Sequence, residues 1–450
     1  MLNIGIGVFM SALDASIVNI SLPTIVHALQ TNVRTVAWVV TAYLIVVTGC
    51  LLLMGSLADV WGQRRIYLLG VSTFTIGSCL CGLSPNVYFL IGSRMIQGLG
   101  AASLMANGTA IVSTVFPQNE RGQALGTLGS IVSAGFLTGP LLGGFLIEHL
   151  GWRWVFFINL PVGIFAVFLS LKTLTRDRPA KAFKPDLWGA LFLFIFVSSL
   201  LLLLNRVGQR STPLFWGWLL LCAVSFSLFL RVELHAAFPL VDLHLLRRRP
   251  FIASLGASLL SFLVSGAHTF VIPFFLQDIL AYSPSKVGVL VFPVALTVMV
   301  MAPLGGRISD RAGVRVPATL GLMVMAVTVF SFTLIKVGAG EYQILLRQVL
   351  MGIGIGLFNP ANNSAIIGSL PKERVGLASS FLALARNLGL VIGVAFAEMV
   401  IAFKSGIQGP EAAQGSPSLE SIQEVWKWAL LIGFIAVVFS WIRSKKSLDG

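Results

Sequence analysis

An all-α polytopic membrane protein is the fold class this sequence predicts, and three observations carry the prediction. The 450 residues are 56% hydrophobic and 11% charged, with a mean hydropathy of +0.90, whereas soluble domains are roughly 25% charged. Apolar runs of about the 20 residues that cross a bilayer recur about fourteen times, and runs of that length are read as helices because lipid offers the backbone no hydrogen bonds. The basic residues are also lopsided. Arg64, Arg65, Arg121, Arg247, Arg248, Arg249, Arg311, Arg315, Lys445 and Lys446 fall in segments on one side, the positive-inside pattern of a chain with an even number of spans and both termini cytoplasmic. This distribution accounts for the net charge of +14 without a nucleic-acid partner.

The spans are expected at 2–29, 36–58, 66–83, 87–115, 122–147, 153–173, 187–205, 212–230, 250–280, 285–306, 316–336, 342–368, 375–403 and 424–442. The first starts without a basic leader or a cleavage site of the A-x-A kind, so it is read as a permanent span. It holds SALDASIVNISLP, residues 11–23. Asp14 stands roughly 20 Å into that helix, near mid-membrane, and Ser11 and Ser21 share its face. A carboxylate at that depth costs roughly 2.5–3.5 kcal/mol, so it should face a cavity and mark a pathway. The alternative is a structural, hydrogen-bonded acid.

Between the second and third spans lies GSLADVWGQRR, 55–65. Asp59 can pair with arginines or a helix N-terminus, and Gly62 permits a tight turn before Arg64 and Arg65. Such pairs could latch the cytoplasmic face or serve as a static anchor. The fourth span carries Arg94, a guanidinium in an apolar helix that should seek a carboxylate or carbonyls, followed by Gln97. The fifth places Gly135, Gly139 and Gly143 four apart, so a neighbouring backbone can approach closely. Pro140 weakens the helix locally, and Gly144 extends the small-residue run. Glu148 and His149, at the outer end, are expected to be solvated.

The polar stretch TRDRPAKAFKPD (175–186) and the basic HLLRRRP (244–250) bracket two central spans. Beyond them, polar residues in apolar surroundings are the candidates. They are His268, Asp278, the run Asn359, Asn362, Asn363, and Arg386 with Asn387, each a pore residue or a satisfied structural one. Glu398, in GVAFAEMVIAF, repeats the Asp14 argument in the second half. Cys50, Cys79, Cys81 and Cys222 lie in apolar runs without metal-ligand spacing and are read as packing residues. No metal site, nucleophile motif or phosphate loop is seen, so an enzyme has least support.

The chain also repeats itself. GSLADVWGQRR (55–65) matches GRISDRAGVR (306–315), 251 residues on, with Asp310 and Arg311 in the place of the first loop's acid and its neighbour. RMIQGLGAA (94–102) faces RQVLMGIGIG (347–356), so that Arg347 is expected to mirror Arg94, and FPQNERG (116–122) faces LPKERVG (370–376). The expected organisation is therefore a six-helix bundle over 1–174, a linker with two additional spans over 175–249, and a second six-helix bundle over 250–450.

LDASIVNISLP, GSLADVWGQRR, RMIQGLGAA, GTLGSIVSAGFLTGPLLGG (126–144) and WRWVFFINLPVG (152–163), with FFLQDILAYSPSKVG (274–288) and ARNLGLVIGVA (385–395), resemble the motif set of the fourteen-helix drug:proton antiporters of the major facilitator superfamily. The resemblance implies the major facilitator fold, two six-helix bundles plus two central helices, with the substrate site at the midplane between the halves. It also implies that the glycine motif of the fifth span marks an exporter and shapes how that helix closes against the opposite half, and that Arg94 serves in proton transfer. Val60 and Gln63 depart from the family pattern, in which basic residues are usual.

The resulting expectation is a proton-coupled exporter of lipophilic, cationic drugs in the cell membrane, working by alternating access. Asp14, Glu398 and Arg94 would handle proton and substrate. Its partners would be protons, a small lipophilic substrate and the lipid bilayer; it would act as a monomer, without nucleic acid and with no cofactor beyond the proton gradient. Two alternatives stay open: export of a lipid, fatty acid or other organic anion, with a periplasmic adaptor as a partner, and a membrane receptor that binds without transporting.

Overall fold

Apolar runs become helices here, and among the described residues all regular structure is helical. The computed structural model describes residues 2–115, 121–174, 186–204, 213–235, 249–369, 375–404 and 417–442. The helices are α1 (Leu2–Ala28), α2 (Val33–Trp61), α3 (Gln63–Gly82), α4 (Val87–Val115), α5 (Arg121–His149), α6 (Trp154–Phe157), α7 (Asn159–Thr173), α8 (Leu187–Leu204) and α9 (Pro213–His235), then α10 (Arg249–Phe274), α11 (Pro284–Ala312), α12 (Arg315–Thr333), α13 (Glu341–Gly368), α14 (Val375–Lys404) and α15 (Leu419–Trp441). Twelve of the spans they form are long and apolar enough to cross a membrane among the described residues. The fifth and seventh runs of the sequence correspond to α5 and α8, so each of the fourteen expected spans coincides with helix. Two runs are not single α-helices. The sixth breaks at Ile158 into α6 and α7, and the ninth ends in a π-helical turn, Phe275–Ile279, that begins two residues after Pro273, whose missing N–H weakens the α-ladder there.

Two compact units emerge. One comprises Met1–Leu240 with Ser283–Gly288, and so includes α8 and α9; the other comprises Val241–Tyr282 with Val289–Gly450. In the first, α1 packs on α5, α3 on α4 and α7, and α2 on α4 and α8. In the second, α10 packs on α14, and α12 on α13 and α15. Outward faces are apolar, with Ile164 of α7, Leu220 of α9 and Val327 of α12 all more than 60% exposed. Such surface needs a lipid solvent.

Glycines set how closely these helices approach, and the same close approaches recur in both units. A Cβ on Gly98 of α4 would sit 2.9 Å from the Tyr43 carbonyl of α2, and one on Gly352 of α13 would sit 2.6 Å from the Val294 carbonyl of α11. Gly100 meets Phe74 and the Gly70 carbonyl of α3, and Gly354 meets Met325 and the Gly321 carbonyl of α12. The turns repeat as well. Gly62 (φ +100°) joins α2 to α3 and Gly313 (φ +80°) joins α11 to α12, a left-handed backbone that glycine adopts without penalty. The arginine two residues on reaches the end of the bundle's last helix in each unit. Arg64 Nη2 donates to the Leu171 carbonyl of α7 at 3.1 Å, and the Arg315 guanidinium lies 4.0 Å from the Trp441 ring of α15.

The glycine stripe of α5 is occupied by α1. A Cβ on Gly135 would lie 2.8 Å from the Phe9 carbonyl and 2.9 Å from Ala12, one on Gly139 would collide with Ser16, and one on Gly143 would meet Ile17 at 2.6 Å. These three residues pack against α1 within the first unit. Substituting Gly135 with Leu should cost about 1–3 kcal/mol by overpacking, read as a lower unfolding temperature of the purified protein. Gly92→Leu, at a position with open space around it, should stay within about 0.5 kcal/mol of the parent.

Candidate functional site

Asp14 is fully buried, and five elements of the first unit converge on it and its partners. From α4, Arg94 Nη1 donates to Asp14 Oδ2 at 2.6 Å, and Gln97 Nε2 donates to Oδ1 at 2.8 Å. From the start of α7, Asn159 Nδ2 donates to the same Oδ1 at 3.1 Å. Ser78 of α3 receives Gln97 Nε2 at 3.2 Å and Asn159 Nδ2 at 3.0 Å, and donates its own proton to the Phe156 carbonyl of α6 at 2.9 Å. The arginine is held on all sides. Its Nε donates to the Val39 carbonyl of α2 at 3.0 Å, its Nη1 also donates to Gln97 Oε1 at 2.6 Å, and its guanidinium carbon lies 4.0 Å from the Tyr43 ring centroid and 5.9 Å from that of Phe156. Cys81 Sγ donates to Gln97 Oε1 at 3.6 Å. Asp14, Arg94 and Gln97 are each 1% exposed or less.

This local arrangement has sequence causes. The break at Ile158 ends α6 and starts α7 at Asn159, which brings that amide to the carboxylate, and the Phe156 carbonyl at the end of α6 accepts from Ser78. Gly77 lets the Gln97 backbone approach to 2.6 Å of where its Cβ would be. Ser11 and Ser21, expected to line a polar face with Asp14, bond the carbonyls of Val8 and Val18 in their own helix. Chemically, the site is an ion pair of one carboxylate and one guanidinium, enclosed by amide and carbonyl partners. Burial removes the hydration of both ions, and the mutual attraction offsets that cost only because the remaining donors and acceptors are also filled.

The other candidates are more scattered. Arg64 is partly buried at the α7 end, and Arg65 and Arg311 are exposed; the side chains of Asp59 and Asp310 lie outside the described residues. Pro140 and Gly144 meet the segment Ser283–Gly288, with Ser285 Oγ donating to the Gly144 carbonyl at 3.3 Å. Beside them, Glu148 Oε2 accepts the Ser285 N–H at 3.0 Å, so this exposed group is engaged. Hydrogen bonds from the Ser285 and Ser283 hydroxyls hold it below the usual carboxylate range. In the second unit, Glu398, Asn362 and Asn387 are buried, Asn359, Arg386 and Asp278 are partly buried, and Asn363 is exposed. His268 Nε2 lies 3.1 Å from Gln348 Oε1. Arg347 does not repeat Arg94. Its Nε donates to the Ser331 carbonyl at 3.2 Å and its Nη1 to the Gln343 carbonyl at 3.0 Å, and the glycine register puts Gln348 at the Arg94 position instead.

Sequence reasoning did not single out Tyr43, Ser78 or Asn159. Asn159 carried a signal, an amide two residues before Pro161 in an otherwise apolar run; Ser78 and Tyr43 carried none, since either is ordinary in a membrane helix.

The sequence matches the family model described as Major Facilitator Superfamily over residues 4–394 and 254–444. The chain belongs to this superfamily. Within it, the chain is 36% identical over 450 residues to the riboflavin transporter RibZ of Clostridioides difficile, covering 99% of this chain and 97% of that protein. It is 33% identical over 413 residues to the multidrug resistance protein Stp of Mycobacterium tuberculosis, covering 88% of this chain and 74% of that one. The structure of a bacterial homologue of the human lysosomal transporter Spinster superposes with a TM-score of 0.67 at 18% identity, covering 99% of this chain and 96% of that chain, and shares the fold. The protein is thus a multi-pass major facilitator transporter, and its relatives are transporters rather than enzymes.

Breaking the buried pair from one side should be costly. Arg94→Gln should destabilise the protein by about 3–5 kcal/mol by leaving a buried carboxylate uncompensated, and Asp14→Asn by less, since an amide keeps part of the network. The double variant should be more stable than the sum of the two losses implies, a cycle read from thermal unfolding of the purified protein.

Proposed function

We propose that this major facilitator protein is a proton-coupled antiporter of the fourteen-helix drug:proton type, exporting lipophilic, drug-like molecules across the cell membrane with both termini in the cytoplasm. The observation that carries the reading is the Asp14–Arg94 pair, fully buried and closed by Gln97 and Asn159. Ions are kept at such depth in a membrane when they serve a pathway. A proton arriving on Asp14 removes its charge and releases Arg94; deprotonation restores the pair. Because the two protonation states favour different partners for Arg94, proton uptake biases one arrangement of the bundle over another, which is the differential interaction that coupling requires. The substrate follows the alternation, and the proton gradient supplies the energy. The protein acts as a monomer and without a cofactor in this reading.

Likeness to Stp supports a drug cargo. A second reading is favoured by the greater likeness to RibZ over nearly the whole of both chains: a flat, uncharged flavin-like cargo moved by the same machinery. The paired state of Asp14 fits either cargo, since a carboxylate already neutralised by Arg94 offers no spare charge to a cation until the pair opens.

Ethidium flux in everted vesicles energised by a pH gradient tests this. The parent should accumulate ethidium and dissipate the gradient, Asp14→Asn should lose about 100-fold or more of the proton-driven flux, as expected when a required proton carrier is removed, and Glu398→Gln should reduce it less. A parent that moves no cation and leaves the gradient intact would sink the drug-cation reading and leave the neutral cargo.

A further inference from the structure

The glycine register that relates the two units also shows what the second unit lacks. Gly135 meets the Phe9 carbonyl and Leu13 N, and Gly389 meets the Leu259 carbonyl and Leu263 N in the same manner; Val264 therefore stands where Asp14 stands. Gln348 stands where Arg94 stands, by the match of Gly98 and Gly100 to Gly352 and Gly354. The ion pair of the first unit is replaced at this locus by a hydrocarbon and an amide. The amide turns instead to His268, one helical turn beyond Val264, with Nε2 to Oε1 at 3.1 Å.

That pair is embedded in aromatic surface. The Phe332 ring lies 4.9 Å from both His268 and Trp426, and Trp426 lies 5.7 Å from Phe275 and 6.3 Å from His268, centroid to centroid. His268 is 4% exposed, and Gln348 and Trp426 are 0% exposed. Yet one polar atom on each of these three residues has no hydrogen-bond partner: His268 Nδ1, Gln348 Nε2 and Trp426 Nε1. Their roles are set by the contact already made. An amide oxygen can only accept, so His268 Nε2 carries the ring proton and Nδ1 is a bare acceptor. The amide nitrogen and the indole N–H are donors. Buried polar atoms are almost always partnered, so two donors and one acceptor left over beside tilted and edge-on rings describe a complementary occupant, one with two acceptors and one donor on a flat aromatic body.

We propose that His268, Gln348 and Trp426 form a recognition site for the edge of an uncharged fused heteroaromatic ring bearing a cyclic imide, two carbonyls flanking an N–H. The site rests on the transporter reading, because its three atoms are enclosed in this conformation and the ring edge enters when the aromatic wall of Phe332 and Trp426 opens. At this locus the labour is divided: the first unit holds the Asp14–Arg94 charge pair, and the second reads the neutral polar edge of the cargo. Selectivity at such a site comes from rejecting molecules that leave its buried polar atoms unpaired.

Equilibrium binding to the purified full chain tests the proposal, with riboflavin and its analogue methylated at the imide nitrogen as probes. The parent should bind riboflavin saturably and the methylated analogue about ten-fold or more weaker. Gln348→Leu should weaken riboflavin by about ten-fold or more and erase the preference between the probes. Trp426→Phe, which keeps a ring and removes only the N–H, should reduce riboflavin binding in the same direction and serves as the milder variant if His268→Ala does not fold. Absence of saturable riboflavin binding by the parent, equal binding of the two probes, or binding indifferent to both Gln348→Leu and Trp426→Phe would each overturn the site. Ethidium flux separates this from the transport reading: a chain that binds riboflavin with these dependences but drives no flux keeps the site and loses the coupling, and a chain that drives flux but binds no riboflavin does the reverse.

Discussion

A carboxylate and a guanidinium at the same depth of a membrane helix bundle constrain everything around them. Neither Asp14 nor Arg94 can be left alone there, because each uncompensated charge in an apolar medium costs several kcal/mol even after relaxation. Pairing them at 2.6 Å is insufficient, since each retains further hydrogen-bonding capacity. The Val39 carbonyl, Gln97, Asn159 and the Tyr43 ring supply what remains. Those groups come from α2, α4 and α7, with Ser78 of α3 behind them, so satisfying one ion pair fixes the mutual placement of five helices. A change in the protonation of Asp14 therefore acts on the whole unit rather than on one side chain.

Close approach is the second constraint, and it works by removing side chains. Gly135, Gly139 and Gly143 let α1 lie against α5, and Gly70, Gly77 and Gly100 let α3 lie against α4. Membrane helices have no hydrophobic force between them that lipid does not also supply, so association depends on tight van der Waals packing and a few interhelical hydrogen bonds. Tight packing by α5 carries Asp14 on α1 to a fixed depth, where Arg94 on α4 can reach it. Packing and charge are thus coupled.

The two units keep the packing and diverge in the chemistry. Their glycine contacts, positive-φ turns and loop arginines correspond position by position, while Asp14 and Arg94 correspond to Val264 and Gln348. Backbone contacts tolerate little change because any added atom collides with a neighbouring main chain. Side chains that face the interior of a unit are free to differ as long as their polar atoms are satisfied. The repeat consequently preserves a scaffold, and function resides in the differences.

A bilayer makes much of this protein readable without coordinates. Helices, spans and the internal repeat follow from apolar run length and from small residues at fixed spacing, since lipid allows the backbone few alternatives. Asp14, Arg94, Gln97, His268 and Glu398 stand out because any polar group in an apolar run is conspicuous. Only the tertiary structure decided which of them meet. Asp14 and Arg94 are 80 positions apart, and Asp14 and Asn159 are 145, separations over which sequence carries no distance information. It decided, too, that Arg347 bonds carbonyls of its own surroundings while Gln348 takes the Arg94 position, a one-residue difference that motif alignment does not resolve and helix geometry does, because neighbouring residues on a helix point about 100° apart. Sequence set the medium and the inventory of charges; packing between helices set the partners.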